Sequence, residues 1–308
     1  MSAKSLLCFG ALALLPPLAE AQVSFQFDYS DPTAAMWSPE SRAALDLAAD
    51  YVESYLSGYK AAVTIRLKIT GSNADDGSLA GAGSSYTGGL PGFGNIGVIG
   101  SQIISGTDSG FTHDGTLNAN FFHSWSYTNT VGGAEYDFVS VMMHEIGHAM
   151  GFTSLLSQAG NSVFDPGYLS PFDGFLVNSA GEPLVYQGSF TTGAEWDQAS
   201  TGGTGNGIFF NGPRAMAVYG GLVPIYSPTT WEEGSSGSHL DTNVFTDEER
   251  KLMNHSVTPG MGERAFSELE VAMFRDLGFT EFSIPVPEPA ALVLVFIGSC
   301  GLLPLRRR

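Results

Sequence analysis

The sequence has little cysteine and little positive charge. Its two cysteines, Cys8 and Cys300, stand in the two terminal segments of a chain of 308 residues, so the middle of the chain has none. Disulfides are therefore excluded there, and a hydrophobic core must hold the fold instead. With 13 basic and 31 acidic residues, the formal net charge is −18, which repels phosphate backbones and predicts no nucleic-acid partner.

Charged residues of either sign are also scarce, at 14% of the chain against roughly a quarter in an average soluble domain. Hydrophobic residues make up 43% of the chain and aromatic residues 12%, which excludes a disordered protein. The 39 glycines follow no fixed period, which excludes a collagen-like repeat. Nearly all of them lie in the middle of the chain, and this predicts a turn-rich fold with long loops.

The N-terminal segment, residues 1–21, has the pattern of a secretory signal peptide. A single cation at Lys4 precedes an apolar stretch, and Ala19-Glu20-Ala21 forms a small-x-small cleavage site. The alternative is a buried helix, which Pro16-Pro17 would break. We therefore expect the protein to be exported.

The C-terminal segment, residues 285–308, combines three features. Pro287-Glu288-Pro289 is followed by a 16-residue apolar run, Ala290–Leu305, and then by three arginines. The run is shorter than the roughly 20 residues that span a bilayer, so transient membrane contact is expected. The segment resembles the PEP-CTERM sorting signal of Gram-negative bacteria. That resemblance implies an exosortase-type partner, removal of the tail, and a location at the cell surface or outside the cell.

The remaining residues, 22–284, are long enough for one large domain, which we divide into an N-terminal part, 22–151, and a loop-rich C-terminal part, 152–284. The N-terminal part is expected to begin with a helix and to continue with strands. The predicted helices are Ser38–Leu56, Phe138–Met150 and Glu263–Leu277, and the predicted strands are Val63–Ile69 and segments around Gly97–Ile104 and Leu117–Trp125. Asp137 and Gly151 are expected to cap the middle helix.

The middle helix contains His144-Glu145-Ile146-Gly147-His148. Histidines four residues apart on a helix share one face, so both imidazoles can reach one metal ion. Glu145 is then placed to contact a metal-bound water, as in zinc hydrolases. The alternative is a chance match on an amphipathic helix, but this helix is apolar on almost all sides and is expected to be buried, where uncoordinated histidines would be costly.

The longer run His144–Phe152 resembles the metzincin clan of zinc peptidases, in which the glycine corresponding to Gly151 turns the chain toward a third histidine. In compact metzincins that histidine comes three residues later, where this chain has Ser154. The leishmanolysin-like branch has an insertion at this point, and the segment Gly234–Asp241 with its His239 resembles the corresponding part of that branch. The segments Leu252-Met253-Asn254 and Asp276–Phe279 extend the resemblance.

The resemblance implies an α+β fold, with an N-terminal twisted sheet and helices and a loop-rich C-terminal subdomain on either side of a cleft. It also implies one catalytic Zn²⁺ bound by His144, His148 and His239, with Glu145 as general base. Met253 would form the apolar floor of the metal site. The alternatives are a solvated loop position for His239 and an ordinary core position for Met253.

Other residues compete for these roles. The third ligand could instead be one of four carboxylates: Asp165, Asp173, Glu268 and Glu270. His255, two residues after Met253, could stabilise an oxyanion as a tyrosine does in some metzincins, or it could be a surface histidine. The predicted strand Leu117–Trp125 could be the edge strand that pairs with an extended substrate, or it could belong to the core.

These residues lead us to expect a secreted zinc endopeptidase that acts on peptide or protein substrates. The rival class is a non-catalytic surface or extracellular-matrix protein with a structural metal, and a third reading is a zinc hydrolase with non-peptide substrates. Ca²⁺ could bind an acidic loop such as Asp75-Asp76-Gly77, although no complete ligand spacing follows it.

Overall fold

The computed structural model describes residues 23–285, which form a mixed α+β structure with several small sheets. The predicted signal peptide, residues 1–21, and the predicted sorting segment from residue 286 onward lie outside the described residues. Between residues 23 and 285, no helix is both long enough and apolar enough to cross a bilayer.

A four-stranded sheet and three helices dominate the first half. The elements are β1 (Val23–Asp28), α1 (Pro39–Tyr55), β2 (Val63–Ser72), β3 (Ala80–Ser84), α2 (Gly97–Ser105), β4 (Gly115–Asn120), β5 (Trp125–Ser126), β6 (Tyr136–Asp137) and α3 (Phe138–Met150). The strand order is β1-β2-β4-β3; β1, β2 and β4 are parallel, and β3 pairs antiparallel to β4 at one edge.

The predictions for α1 and β2 are confirmed. The Ser38 hydroxyl accepts a hydrogen bond from the Ser41 N–H, and Pro39 occupies the first helical turn, so α1 begins where the sequence places it. Strand β2 alternates buried and half-buried residues along its whole length. This alternation puts one face of the sheet against the core.

Three expectations for this half are wrong. The described part of the chain begins with β1 and not with a helix. Gly97–Ile104 lies within helix α2, which ends at a left-handed Gly106. Leu117–Trp125 is not one strand, because β4 stops at Asn120 and lies between β2 and β3. The free edge of the sheet on this side is therefore β3.

Helix α3 has the predicted bounds, Phe138–Met150. The Asp137 carboxylate accepts from the Ser140 N–H at 3.2 Å, and Gly151 ends the helix with a φ of 117°, in the left-handed region that favours glycine. The helix packs against α1 and against β3. This packing brings the polar residues of α3 beside the free edge of the sheet.

Short elements separated by loops make up the second half, as expected. They are β7 (Leu176–Val177), β8 (Val185–Tyr186), β9 (Thr191–Thr192), α4 (Ala194–Ala199), α5 (Gly203–Asn206), β10 (Phe209–Phe210), α6 (Pro213–Tyr219), β11 (Val223–Pro224) and α7 (Glu268–Asp276). Helix α7 begins five residues later than predicted, because Ser267 and Glu270 form a capping box at its start. The main cluster of buried apolar residues extends from Val23 to Phe282.

Candidate metal centre

Three histidines from distant parts of the sequence meet at the surface of α3. The Nε2 atom of His148 lies 2.9 Å from those of His144 and His239, and the Nε2 atoms of His144 and His239 are 3.2 Å apart. His144 and His148 lie on one face of α3, as the spacing predicts. His239 comes from the loop-rich half and is buried. The three imidazoles are close enough to hold one metal ion.

The backbone determines which ring nitrogens face each other. The Nδ1 atoms of His144, His148 and His239 lie 2.7–2.8 Å from the carbonyl oxygens of Leu252, Phe152 and Ser235, respectively. A carbonyl can only accept, so each Nδ1 carries the proton and donates it. The three Nε2 lone pairs therefore converge on one point, where their mutual repulsion is relieved by a cation.

The spacing of these lone pairs fits a metal ion. Nitrogens bound tetrahedrally to zinc at 2.0–2.1 Å stand about 3.3 Å apart, close to the 2.9–3.2 Å between these Nε2 atoms. Imidazole ligands suit zinc, copper, iron and nickel. The donor set therefore fits a transition metal ion.

The pKa values of the three imidazoles agree with neutral ligands. Burial lowers the pKa of His144 to about 4, while its hydrogen bond to the Leu252 carbonyl opposes this shift. Burial, reinforced by the neighbouring His144, lowers the pKa of His148 to about 3. Burial also holds the pKa of His239 well below its usual range. All three rings are thus neutral near neutral pH, so protons compete little with a metal ion for their Nε2 atoms there.

Glu145 lies beside the three histidines but is not one of the group that could hold the ion. Its side chain lines the cleft described below, although only 8% of the residue is exposed. Burial raises the pKa of this carboxyl to about 8, while the Ala82 N–H of strand β3 favours the ionised form. A carboxylate in this position can exchange a proton near neutral pH.

Met253 is completely buried and lies against helix α3, which we call the motif helix because it carries His144-Glu145-Ile146-Gly147-His148. Its sulfur occupies the space beside Gly147, where an added Cβ would come within 2.8 Å of the Sδ atom. The preceding residue, Leu252, accepts the hydrogen bond from His144. The segment that carries Met253 therefore both packs beneath the histidines and orients one of them.

The competing carboxylates do not join the three histidines. Asp173 is buried and accepts hydrogen bonds from Ser154 and Ser170, and Glu270 accepts from the Met253 N–H. Asp165 and Glu268 are exposed. Across residues 23–285, the histidine trio is the sole cluster with metal-ligand spacing. This finding also covers the loop Asp75-Asp76-Gly77, where the Asp76 carboxylate accepts from the Ser78 N–H.

His255 lines the same cleft and stacks on Tyr226, with ring centroids 3.3 Å apart and an interplanar angle of 6°. Its Nδ1 atom is buried without a hydrogen-bond partner. Burial lowers the pKa of this imidazole. A neutral His255 would carry its proton on Nε2, because Nδ1 has no acceptor to donate to.

His144, Glu145, His148, His239 and His255 line a cleft of about 630 Å³. The lining also includes residues 77–82, which lead into the free edge of β3, and residues 232–235, 250–252 and 254–257. Sequence reasoning missed this edge, because Ala80-Gly81-Ala82-Gly83-Ser84 lacks the branched and aromatic residues that mark strands. The edge presents backbone groups to the cleft, and no side-chain pattern could have revealed them.

No protein-family model and no curated protein sequence matches this chain.

Proposed function

We propose that the protein is an exported zinc endopeptidase of the metzincin type, most similar to the leishmanolysin-like branch. The carrying observation is the convergence of three Nε2 lone pairs beside an open cleft, with Glu145 next to them but outside the ligand set. The motif sequence His144–Phe152 and the distant His239 support this assignment.

The donor set favours a catalytic metal over a structural one. Structural zinc sites are closed by four protein ligands, whereas catalytic sites have three and leave one position open. In the described part of the chain, no fourth histidine, cysteine, aspartate or glutamate joins the three histidines. The cleft gives this open side access to a substrate.

In this proposal Glu145 and the three histidines have different roles in the hydrolysis. A bound zinc ion would polarise the scissile carbonyl and make water more acidic. Glu145 in its ionised form accepts the proton of the attacking water and then passes that proton to the leaving amine; a pKa above the ordinary value makes this carboxylate the stronger base. His144, His148 and His239 stay neutral throughout, with their Nδ1 protons held by backbone carbonyls.

The edge of β3 supports a peptide as the substrate. Strand β3 pairs with β4 on one side only, and its residues 80–82 line the cleft, so its unpaired side can offer backbone donors and acceptors to a substrate there. An extended peptide would pair with these groups as an added strand. His255, as a donor from Nε2, would bind the oxyanion that forms at the scissile carbonyl.

The proposal is tested with Glu145→Gln in the mature protein, using casein as the substrate. We expect zinc to remain bound at one ion per chain, measured by mass spectrometry. Cleavage should fall at least about 100-fold, because the proton acceptor is lost. The exposed Glu248→Gln is the matched control and should cleave at the wild-type rate.

Three results would contradict the proposal. Retained cleavage by the Glu145→Gln variant would remove the assigned base. Bound zinc without cleavage of any peptide by the wild type would favour the non-catalytic surface protein. Turnover of esters or other non-peptide substrates alone, abolished by a chelator, would favour a different zinc hydrolase.

A further inference from the structure

The turn Phe152–Leu155 follows the motif helix. It makes one hydrogen bond to His148 and another to the residue next to His239. The Phe152 carbonyl accepts the hydrogen bond from His148 Nδ1 at 2.7 Å. Two residues later, the Ser154 N–H donates to the Ser238 hydroxyl at 3.0 Å. Ser238 directly precedes His239. The position of this turn therefore affects the ring of His148 and the loop of His239 together.

A buried carboxylate from another loop holds the turn in place. The carboxylate of Asp173, which is 1% exposed, accepts from the Ser154 hydroxyl at 2.6 Å and from the Leu155 N–H at 3.2 Å. Its second oxygen accepts from the Ser170 N–H at 2.7 Å and from the Ser170 hydroxyl at 2.9 Å. Burial raises the pKa of the Asp173 carboxyl, and these donors act in the opposite direction.

We propose that Asp173 is a positioning residue of the metal centre, which acts through the turn Phe152–Leu155 on His148 and His239. Ser154 stands where compact metzincins have their third histidine. In this chain its side chain is tied to Asp173, and its N–H holds Ser238, so the downstream histidine is brought to the site instead. The inference rests on the metal centre of the proposed function, and it does not require peptidase activity.

The effect should be measurable as metal affinity, because groups that orient ligands typically contribute 10- to 100-fold. In Asp173→Asn, one oxygen acceptor becomes a donor, so the bonds from Ser154 and Leu155 or those from Ser170 cannot all form. Ser238→Ala removes the acceptor next to His239, and Ser238→Thr restores a hydroxyl. Asp114→Asn is the matched control.

Asp114 is suitable as a control because it is also fully buried and also accepts several hydrogen bonds. It accepts from the Arg66 N–H and the Gln102 and Ser109 side chains, and it does not line the cleft. Both aspartate variants should lose thermal stability. Only the changes at Asp173 and Ser238 should lower the affinity for zinc.

The experiment measures zinc dissociation constants by chelator competition, together with the visible absorption of Co²⁺-loaded protein. We expect 10- to 100-fold weaker zinc binding and an altered Co²⁺ spectrum for Asp173→Asn and Ser238→Ala, near wild-type values for Ser238→Thr, and unchanged zinc affinity for Asp114→Asn. Should Asp173→Asn fail to fold, Ser154→Ala, which removes the hydroxyl that donates to Asp173, takes its place in the comparison and should weaken zinc binding in the same way.

Zinc affinities within twofold of wild type for Asp173→Asn and Ser238→Ala would overturn the inference. So would an equal loss of affinity in Asp114→Asn, which would mark the effect as general destabilisation. A wild type that binds zinc but cleaves no peptide would overturn the proposed function alone, because the affinities of the variants could still be compared.

Discussion

At the residue scale, Gly147 determines how closely Met253 can approach the motif helix. An alanine there would place its Cβ 2.8 Å from the Met253 sulfur and 3.3 Å from its terminal methyl. Met253 is completely buried and its N–H is held by Glu270, so it has little room to move away. The close packing of Met253 therefore explains why a glycine stands between the two helical histidines.

We predict that Gly147→Ala lowers the free energy of unfolding by about 1–3 kcal/mol, the usual cost of overpacking a core. Without the clash, the change would stabilise a helix slightly, since alanine is the better helix former. Urea denaturation measures the effect. Gly205→Ala in α5, where an added Cβ meets nothing within 4 Å, is the control and should be neutral or stabilising. A Gly147→Ala variant as stable as wild type would contradict the close packing of Met253 against Gly147.

The residues of the site divide into those that the sequence reveals and those that only the fold brings together. His144, Glu145 and His148 were predictable because helical spacing alone puts them on one face and its border. His239 was predictable only by resemblance, since 88 residues separate it from Gly151. The orienting carbonyls of Leu252, Phe152 and Ser235 carry no sequence signal at all, because every residue has a carbonyl.

At the scale of elements, some helices and strands follow from their own sequence, whereas others depend on the neighbours that they pack against. Helix α3 has the predicted bounds because its apolar residues, its Asp137 cap and its Gly151 end agree. Helix α2 was mistaken for a strand, since a short apolar run such as Gly97–Ile104 has no period that separates the two. Strand β3 exists because β4 and α3 hold it, and its alanines and glycines alone do not predict it.

The start of helix α7 holds the segment that carries Met253 through Glu270, which is fully buried. One carboxylate oxygen accepts from the Met253 N–H at 2.7 Å, and the other accepts from the Ser267 N–H and hydroxyl, each at 2.7 Å. Burial raises the pKa of this carboxyl above its ordinary value of 4.5. Above pH 4.5, the folded protein therefore retains this proton more strongly than the unfolded chain does.

A pH dependence of stability follows from this difference. The contribution of Glu270 is complete below pH 4.5 and is lost as the pH rises through the folded-state pKa, because the unfolded state then binds fewer protons. We predict that wild type loses stability relative to Glu270→Gln as the pH rises from about 4 to 8. Urea denaturation across this range measures the difference.

The exposed Glu268→Gln on the same helix is the matched control for the loss of a carboxylate. The contributions of the other titrating groups to the pH dependence are the same in variant and wild type, so they cancel in each difference. A difference between wild type and Glu270→Gln that stays constant, or grows in favour of wild type as the pH rises, would contradict the assignment.

At the scale of the whole molecule, the three histidines that could hold a metal ion come from both halves of the described chain. The sheet edge β3 and helix α3 belong to the first half, whereas His239, Met253 and the turn at Asp173 belong to the second. Much of the second half is loop, and residues 23–285 contain no cysteine that could cross-link it. A metal ion bound by both halves would therefore contribute to the stability of the whole fold.

We predict that removing the metal lowers the melting temperature reversibly. At a free zinc concentration about 1,000 times the dissociation constant, binding stabilises the folded state by about 4 kcal/mol. For a domain of this size that corresponds to about 8–16 °C. Scanning calorimetry of holo, chelated and reloaded protein measures the shift.

Two variants serve as controls for this shift. Glu145→Gln should show the full shift in melting temperature, because Glu145 is not a ligand, whereas His239→Ala should show little. Equal melting temperatures with and without metal would mean that the three imidazoles do not share an ion across the two halves. Equal shifts in wild type and His239→Ala would mean that His239 is not one of its ligands.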